Sequence, residues 1–186
     1  NAEELDAVRR NLPNDEAVRG LRLAAEVAKG CRPESLIGEN INFWNFKGFR
    51  REREMNNLIT LPGPYAAQAG VFFRDKHLCR LAARFALSLV HCDRWEGVFF
   101  AFMRGSSWDQ RGGLQSVATW ECAVILDLCG EWFTALGRDL ILRRIAGEAH
   151  GAMCHGTWWW EYMYYGNQVA WLTPGRIYGL LLLEQH

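Results

Sequence analysis

Residues 75–91 read DKHLCRLAARFALSLVH, and the fold class follows from how they repeat. Leu78, Leu81, Ala82, Phe85 and Leu89 recur at the i, i+3, i+4, i+7 spacing that puts side chains on one face of an α-helix, with Arg80 and Arg84 between them. Asp75 stands where an N-cap is needed, since its carboxylate can accept from the unpaired N–H groups of a first turn. The stretch predicts an amphipathic helix from Asp75 through His91.

On its C-terminal side, Asp93–Gly113 is a connection containing Gly, Ser and Trp, in which Arg104, Trp108, Asp109 and Arg111 face either a cleft or open solvent. Leu114–Cys129 is apolar nearly all round through Val117, Ala118, Val124, Ile125 and Leu128, which predicts a helix buried between layers. Glu121 and Asp127 interrupt it. A carboxylate in apolar surroundings needs a partner or a raised pKa, so Glu121 reads as a paired structural group or as an acid. Gly130 ends this helix, Thr134 caps the next, and Leu136, Leu140, Ile145 and Ala149 supply that helix with a buried stripe.

On the N-terminal side, Asn14 can cap a helix running to Lys29, with Ala17, Leu21, Ala24, Ala25 and Ala28 on one face and Gly30 as the stop. Periodicity then breaks from Cys31 to Pro64, and a short segment, Tyr65–Arg74, leads to Asp75. No strand-like alternation competes. Helix after helix with irregular connections predicts an all-α fold of stacked antiparallel hairpins in a single domain over residues 1–186. The lack of a fixed repeat favours a partial (α/α) toroid over a repeat solenoid.

Composition supports a packed core, since 49% of the 186 residues are hydrophobic. Lys plus Arg and Asp plus Glu balance at 21 each, so no global field draws the chain to nucleic acid or an anionic membrane. No nucleic-acid motif, apolar run of spanning length or cleavable signal is present. Starting at Asn1 and stopping at His186 after an apolar helix, the chain reads as a piece of a longer protein. Its six cysteines form no CxxC pair and read as buried thiols, which favours a reducing compartment. His150, Cys154 and His155 would seat zinc only if His91 or Cys92 came close, so no metal and no cofactor is expected.

Two stretches concentrate aromatic residues. In the first, Phe43, Trp44, Phe46 and Phe49 stand among Lys47, Arg50, Arg51 and Arg53. Flat rings stack on pyranose or base faces, and guanidinium forks match carboxylate and sulfate; core packing with solvated charges is the plainer alternative. The second is TWWWEYMYYGN, residues 157–167, where adjacent rings cannot all enter one core because a helix separates them by about 100 degrees. His155, Trp159, Tyr164, Tyr165 and Arg176 are candidate contacts for a sugar, against the alternative of an aromatic wall between helices. Asn167 stands at or before a helix start, either as a cap or pointing into a cleft. Pro174 kinks that helix if it starts at Asn167, or occupies its first position if Thr173 is the cap.

From Leu81 onward, through LSLVHCDRW, ILDLCGEWFTALGRDLILRRIAGE and TWWWEYMYYGNQVAWLTPGRIYGLLLLE, the sequence resembles the heparinase II/III-like proteins. The resemblance implies an (α/α) toroid followed by a β-sandwich, a periplasmic or extracellular location, and a lyase acting on anionic, uronate-containing polysaccharide. Such enzymes work by β-elimination: a base removes the C5 proton, charge builds on the uronate carboxylate, and the 4-linked oxygen leaves as it is protonated. The resemblance makes Asn167 the carboxylate neutraliser, lowering the barrier by stabilising that charge. Gln168 departs from the family, where a second Asn or a His often stands, and the family's catalytic Tyr would lie beyond His186. One rival is an (α/α)-toroid glycoside hydrolase, which needs two facing carboxylates from among Glu161, Glu121 and Asp109. The other is a non-catalytic helical glycan-binding scaffold.

Overall fold

The computed structural model describes residues 2–11, 15–38, 40–41, 62–95, 113–154 and 168–186. These form α1 (Ala2–Asn11), α2 (Asp15–Lys29), α3 (Pro62–Phe73), α4 (Lys76–Val90), α5 (Gly113–Cys129), α6 (Ala135–Cys154) and α7 (Gln168–Gln185). Short 3-10 turns at Pro33–Leu36 and Gly130–Trp132 join some of them. The fold is all-α, with one two-residue parallel bridge between β1 (Asn40–Ile41) and β2 (Arg94–Trp95).

Helix α4 is the hub. Asp75 caps it as expected: its Oδ1 accepts from His77 N–H at 2.8 Å and from Leu78 N–H at 3.3 Å. Leu78, Leu81, Ala82, Phe85 and Leu89 are all buried in the core. The helix ends at Val90, with His91 as its C-cap.

The segment before it is a full helix rather than a short linker. Pro62 and Pro64 lie in the first turn of α3, where an N–H would have no intrahelical partner and proline therefore costs little. Beyond them Ala66, Ala67, Ala69 and Gly70 are buried, and their small side chains let α3 lie close on its neighbours. A Cβ added at Gly63 would come within 2.9 Å of Phe85 Cβ and 2.8 Å of Ile125 Cδ1; one at Gly70 would come within 2.8 Å of Cys79. Residues 63 and 70 thus lie level with 85 and 79, so α3 and α4 are antiparallel.

Their connection is two residues long. Arg74 sits at φ 55, Asp75 N–H bonds back to Gly70 O at 2.8 Å and Arg74 N–H to Val71 O at 3.4 Å, the paired bonds of a Schellman ending. Arg9 of α1 covers the same helix end by donating to Phe72 O at 3.0 Å and to Val71 O.

Helix α5 runs back along α4, with Cys122 Sγ 3.9 Å from Ala86 O. Gly130 breaks it, Thr134 Oγ1 accepts from Gly137 N–H at 3.1 Å, and α6 returns antiparallel to α5. Ile141 and Ile145 carry the buried stripe of α6, but Leu136, expected there, is 68% exposed. It lies one residue, about 100 degrees, off the face set by Gly137, Ile141 and Ile145.

Helix α7 starts at Gln168 and runs through Pro174. Its inner face is Gly175, Gly179 and Leu182, whereas Ile177, Tyr178, Leu180 and Leu181 are exposed. The apolar run is therefore only partly core.

Candidate functional site

Antiparallel packing sorts the connections by length. The turn at residues 74–75 and the break at 130–134 lie at one end of the array. The opposite end receives the C-termini of α4 and α6 and the N-termini of α3 and α5. Residues 42–61, 96–112 and 155–167 join Ile41 to Pro62, Trp95 to Gly113 and Cys154 to Gln168. The described residues that bracket both aromatic stretches singled out in the sequence, and those that bracket Arg104, Trp108, Asp109 and Arg111, thus lie towards this end. Gly175, seven residues into α7, packs on Ser116 in the first turn of α5, so the start of α7 lies within about 11 Å of that end.

A cross-braced polar network holds these anchor points. Arg144 of α6 donates from Nη1 to Val90 O at 3.2 Å and to Cys92 O at 2.8 Å, the carbonyls where α4 stops. Its guanidinium stacks 4.5 Å from the centroid of Trp95, and its Nε lies 3.1 Å from Glu148 Oε1. Gln115 of α5, 2% exposed, donates from Nε2 to Glu148 O at 2.8 Å and to Glu148 Oε2 at 2.5 Å. Trp95 Nε1–H bonds to Leu89 O at 2.8 Å. Trp95 and Gln115 flank residues 96–112, and Glu148 lies near the start of 155–167. The reading of the sequence missed this network, although Arg144 and Glu148 at i, i+4 are a visible signal.

The N-terminal route to the same end is fixed by Gly38. Its N–H bonds to His91 O at 3.1 Å, with φ +79, a conformation that suits glycine and leads into β1. Cys92 lies beneath, its Sγ 2.9 Å from Leu36 O and 3.3 Å from Ser88 O.

Of the residues predicted for a site, His155, Trp159, Tyr164, Tyr165 and Asn167 lie outside the described residues, as do Glu161, Asp109 and the 43–53 cluster. Arg176 is half-buried on α7 beside Gly175. Glu121 is 0% exposed on α5, which sets it inside the helical layers. Burial, followed by the Glu121 carboxylate, pushes the neighbouring Cys122 thiol well up, so Cys122 stays protonated and is no nucleophile. Among the described residues no three His, Cys, Asp or Glu side chains cluster as a metal site, and no helix is long and apolar enough to cross a membrane.

Compared with protein-family models, curated proteins and solved structures, the chain matches none.

Proposed function

We propose that this chain is part of an (α/α) toroid of a polysaccharide lyase that cleaves uronate-containing anionic polysaccharide by β-elimination. The observation that carries the reading is the sorting of connections: the stretches rich in Trp, Tyr and Arg start and finish at one end of the helical array, where the Arg144 network ties α4, α5 and α6 together. A cleft for a charged sugar chain needs aromatic faces and guanidinium forks from separate connections, and connections that start and finish at one end of the array support that reading. The heparinase II/III-like resemblance assigns the chemistry. In this reading Asn167 neutralises the uronate carboxylate, Trp159, Tyr164 and Tyr165 bind the rings, and His155 and Arg176 contact the acidic groups. Full burial of Glu121 counts against it as one of the two carboxylates of the glycoside-hydrolase rival, which leaves that reading Glu161 and Asp109.

The test is incubation of the full-length protein with a panel of uronate polymers, following the ultraviolet absorbance of unsaturated uronate ends. Product from at least one polymer is expected, with Asn167→Ala lowering the rate by roughly 100-fold or more, the scale for losing one charge-stabilising donor. Reducing ends appearing without unsaturation would point to hydrolysis and overturn the lyase reading.

A further inference from the structure

We propose that Cys79 and Cys129 are a latent disulfide site, joining the start of α4 to the end of α5 when the chain folds in an oxidising medium. Register alone places them together. Cys122 Sγ lies 3.9 Å from Ala86 O across the antiparallel α4–α5 contact. Seven residues onward along α5 is Cys129 and seven residues back along α4 is Cys79; a seven-residue step is close to two helical turns and returns each chain to the same face. Ala82 and Ala86, both fully buried, keep side-chain bulk low between these positions. Each thiol perturbs the other's titration, Cys129 drawing Cys79 down and Cys79 pushing Cys129 up, as neighbours at that register do.

The couple balances with a low-mass disulfide as oxidant: Cys79–SH and Cys129–SH plus glutathione disulfide give the Cys79–Cys129 bond and two glutathione thiols. One thiolate attacks glutathione disulfide, and the other then displaces glutathione from the mixed disulfide. In the folded protein this exchange is slow. Burial raises both thiols above their ordinary value, Cys129 strongly, so thiolate is scarce, and the pair is only 5% and 0% exposed. Linkage therefore forms during folding and, once formed, resists small reductants. The other described cysteines are already directed elsewhere: Cys31 Sγ lies 3.3 Å from Val27 O, and Cys92 faces the Leu36 and Ser88 carbonyls.

The experiment is refolding of the reduced, denatured chain in a glutathione redox buffer, followed by alkylation, digestion without reductant and mass spectrometry. The expected result is one linked peptide joining Cys79 to Cys129, loss of two of the six alkylatable thiols, and disappearance of the link in dithiothreitol. Cys129→Ser should abolish the link and return Cys79 to the alkylated pool. A chain that fails to regain its helical signal is replaced by native protein cycled through partial unfolding in urea in the same glutathione buffer, returned to folding conditions and mapped in the same way. Six alkylated thiols in the oxidised, helical protein, or a link using any other cysteine, would overturn the proposal.

Discussion

The backbone N–H of Gly175 donates to Ser116 Oγ at 3.2 Å, and α7 lies so close to α5 there that a methyl group on Gly175 would overlap the Ser116 carbonyl. The obstacle is backbone inside a helix and cannot rotate away. Gly175→Ala should therefore destabilise the protein by about 1–3 kcal/mol, the usual cost of overpacking, seen as a lower urea midpoint with an unchanged slope.

Gly147 supplies the opposite sign. It lies within α6, is exposed, and a Cβ added there meets nothing within 4 Å. Gly147→Ala should stabilise by about 0.5–1 kcal/mol, because alanine restricts the unfolded chain without straining the folded one. A midpoint at or below wild type would contradict the open space described around it.

Arg144→Met retains an unbranched apolar stem but removes the bonds to Val90 O and Cys92 O and the ion pair with Glu148. Loss of charged hydrogen bonds at a partly buried site should cost about 1.5–3 kcal/mol. Arg144→Lys should recover only part of it, since an ammonium cannot both fork to two carbonyls and stack on Trp95. Amide exchange at the C-terminus of α4 should accelerate in both variants.

Arg74 occupies a left-handed conformation where the Schellman ending of α3 favours glycine. Its ion pair with Asp6, 3.0 Å long, is solvent-exposed and weakly stabilising. Arg74→Gly should therefore be neutral or raise stability by up to about 1 kcal/mol, the scale of the left-handed penalty. A large loss on denaturant titration would show that the Asp6 contact matters more than the backbone strain.

Glu34 and Arg84 pair at 2.5 Å between the 3-10 turn and α4, and the guanidinium holds the Glu34 carboxyl below its ordinary value of 4.5. A carboxyl with a depressed folded pKa stabilises above the unfolded value, and the contribution is lost as pH falls through the folded one. Both side chains are about half exposed, so Arg84→Met should cost less than about 1 kcal/mol at pH 7. The gap between wild type and variant should close as pH drops below 4.5 and should narrow in high salt. A gap that persists in acid would mean that Arg84 acts through packing.

Helices with strong local signals were legible in the sequence: Asp75 capping α4, Thr134 capping α6, and Gly130 ending α5. Helix α3 was hidden because its evidence is steric. Prolines read as breakers unless they lie in a first turn, and a glycine and alanine face carries no apolar period although it packs closely. Leu136 and Leu181 show the converse, since hydrophobicity alone does not say which face meets a neighbour. The Arg144–Glu148–Gln115 network was legible only in its i, i+4 half, because its other half depends on bringing α5 beside α6. Asn167, Tyr164 and Tyr165 rest on residue type and resemblance and lie outside the described residues, and the placement of such side chains is tertiary, which no local pattern encodes.

The two ends of the array respond differently to insertions and deletions. One residue added between Phe73 and Lys76 would rotate α4 by about 100 degrees and move it about 1.5 Å relative to α3, taking Phe85 and Cys79 away from Gly63 and Gly70. Trp95 and Gly113 are separated by seventeen residues, so an addition between them imposes no such fixed rotation on α5. Variants of this chain can thus change length at residues 42–61, 96–112 and 155–167 while keeping one helical frame, whereas the 74–75 turn admits no change of length.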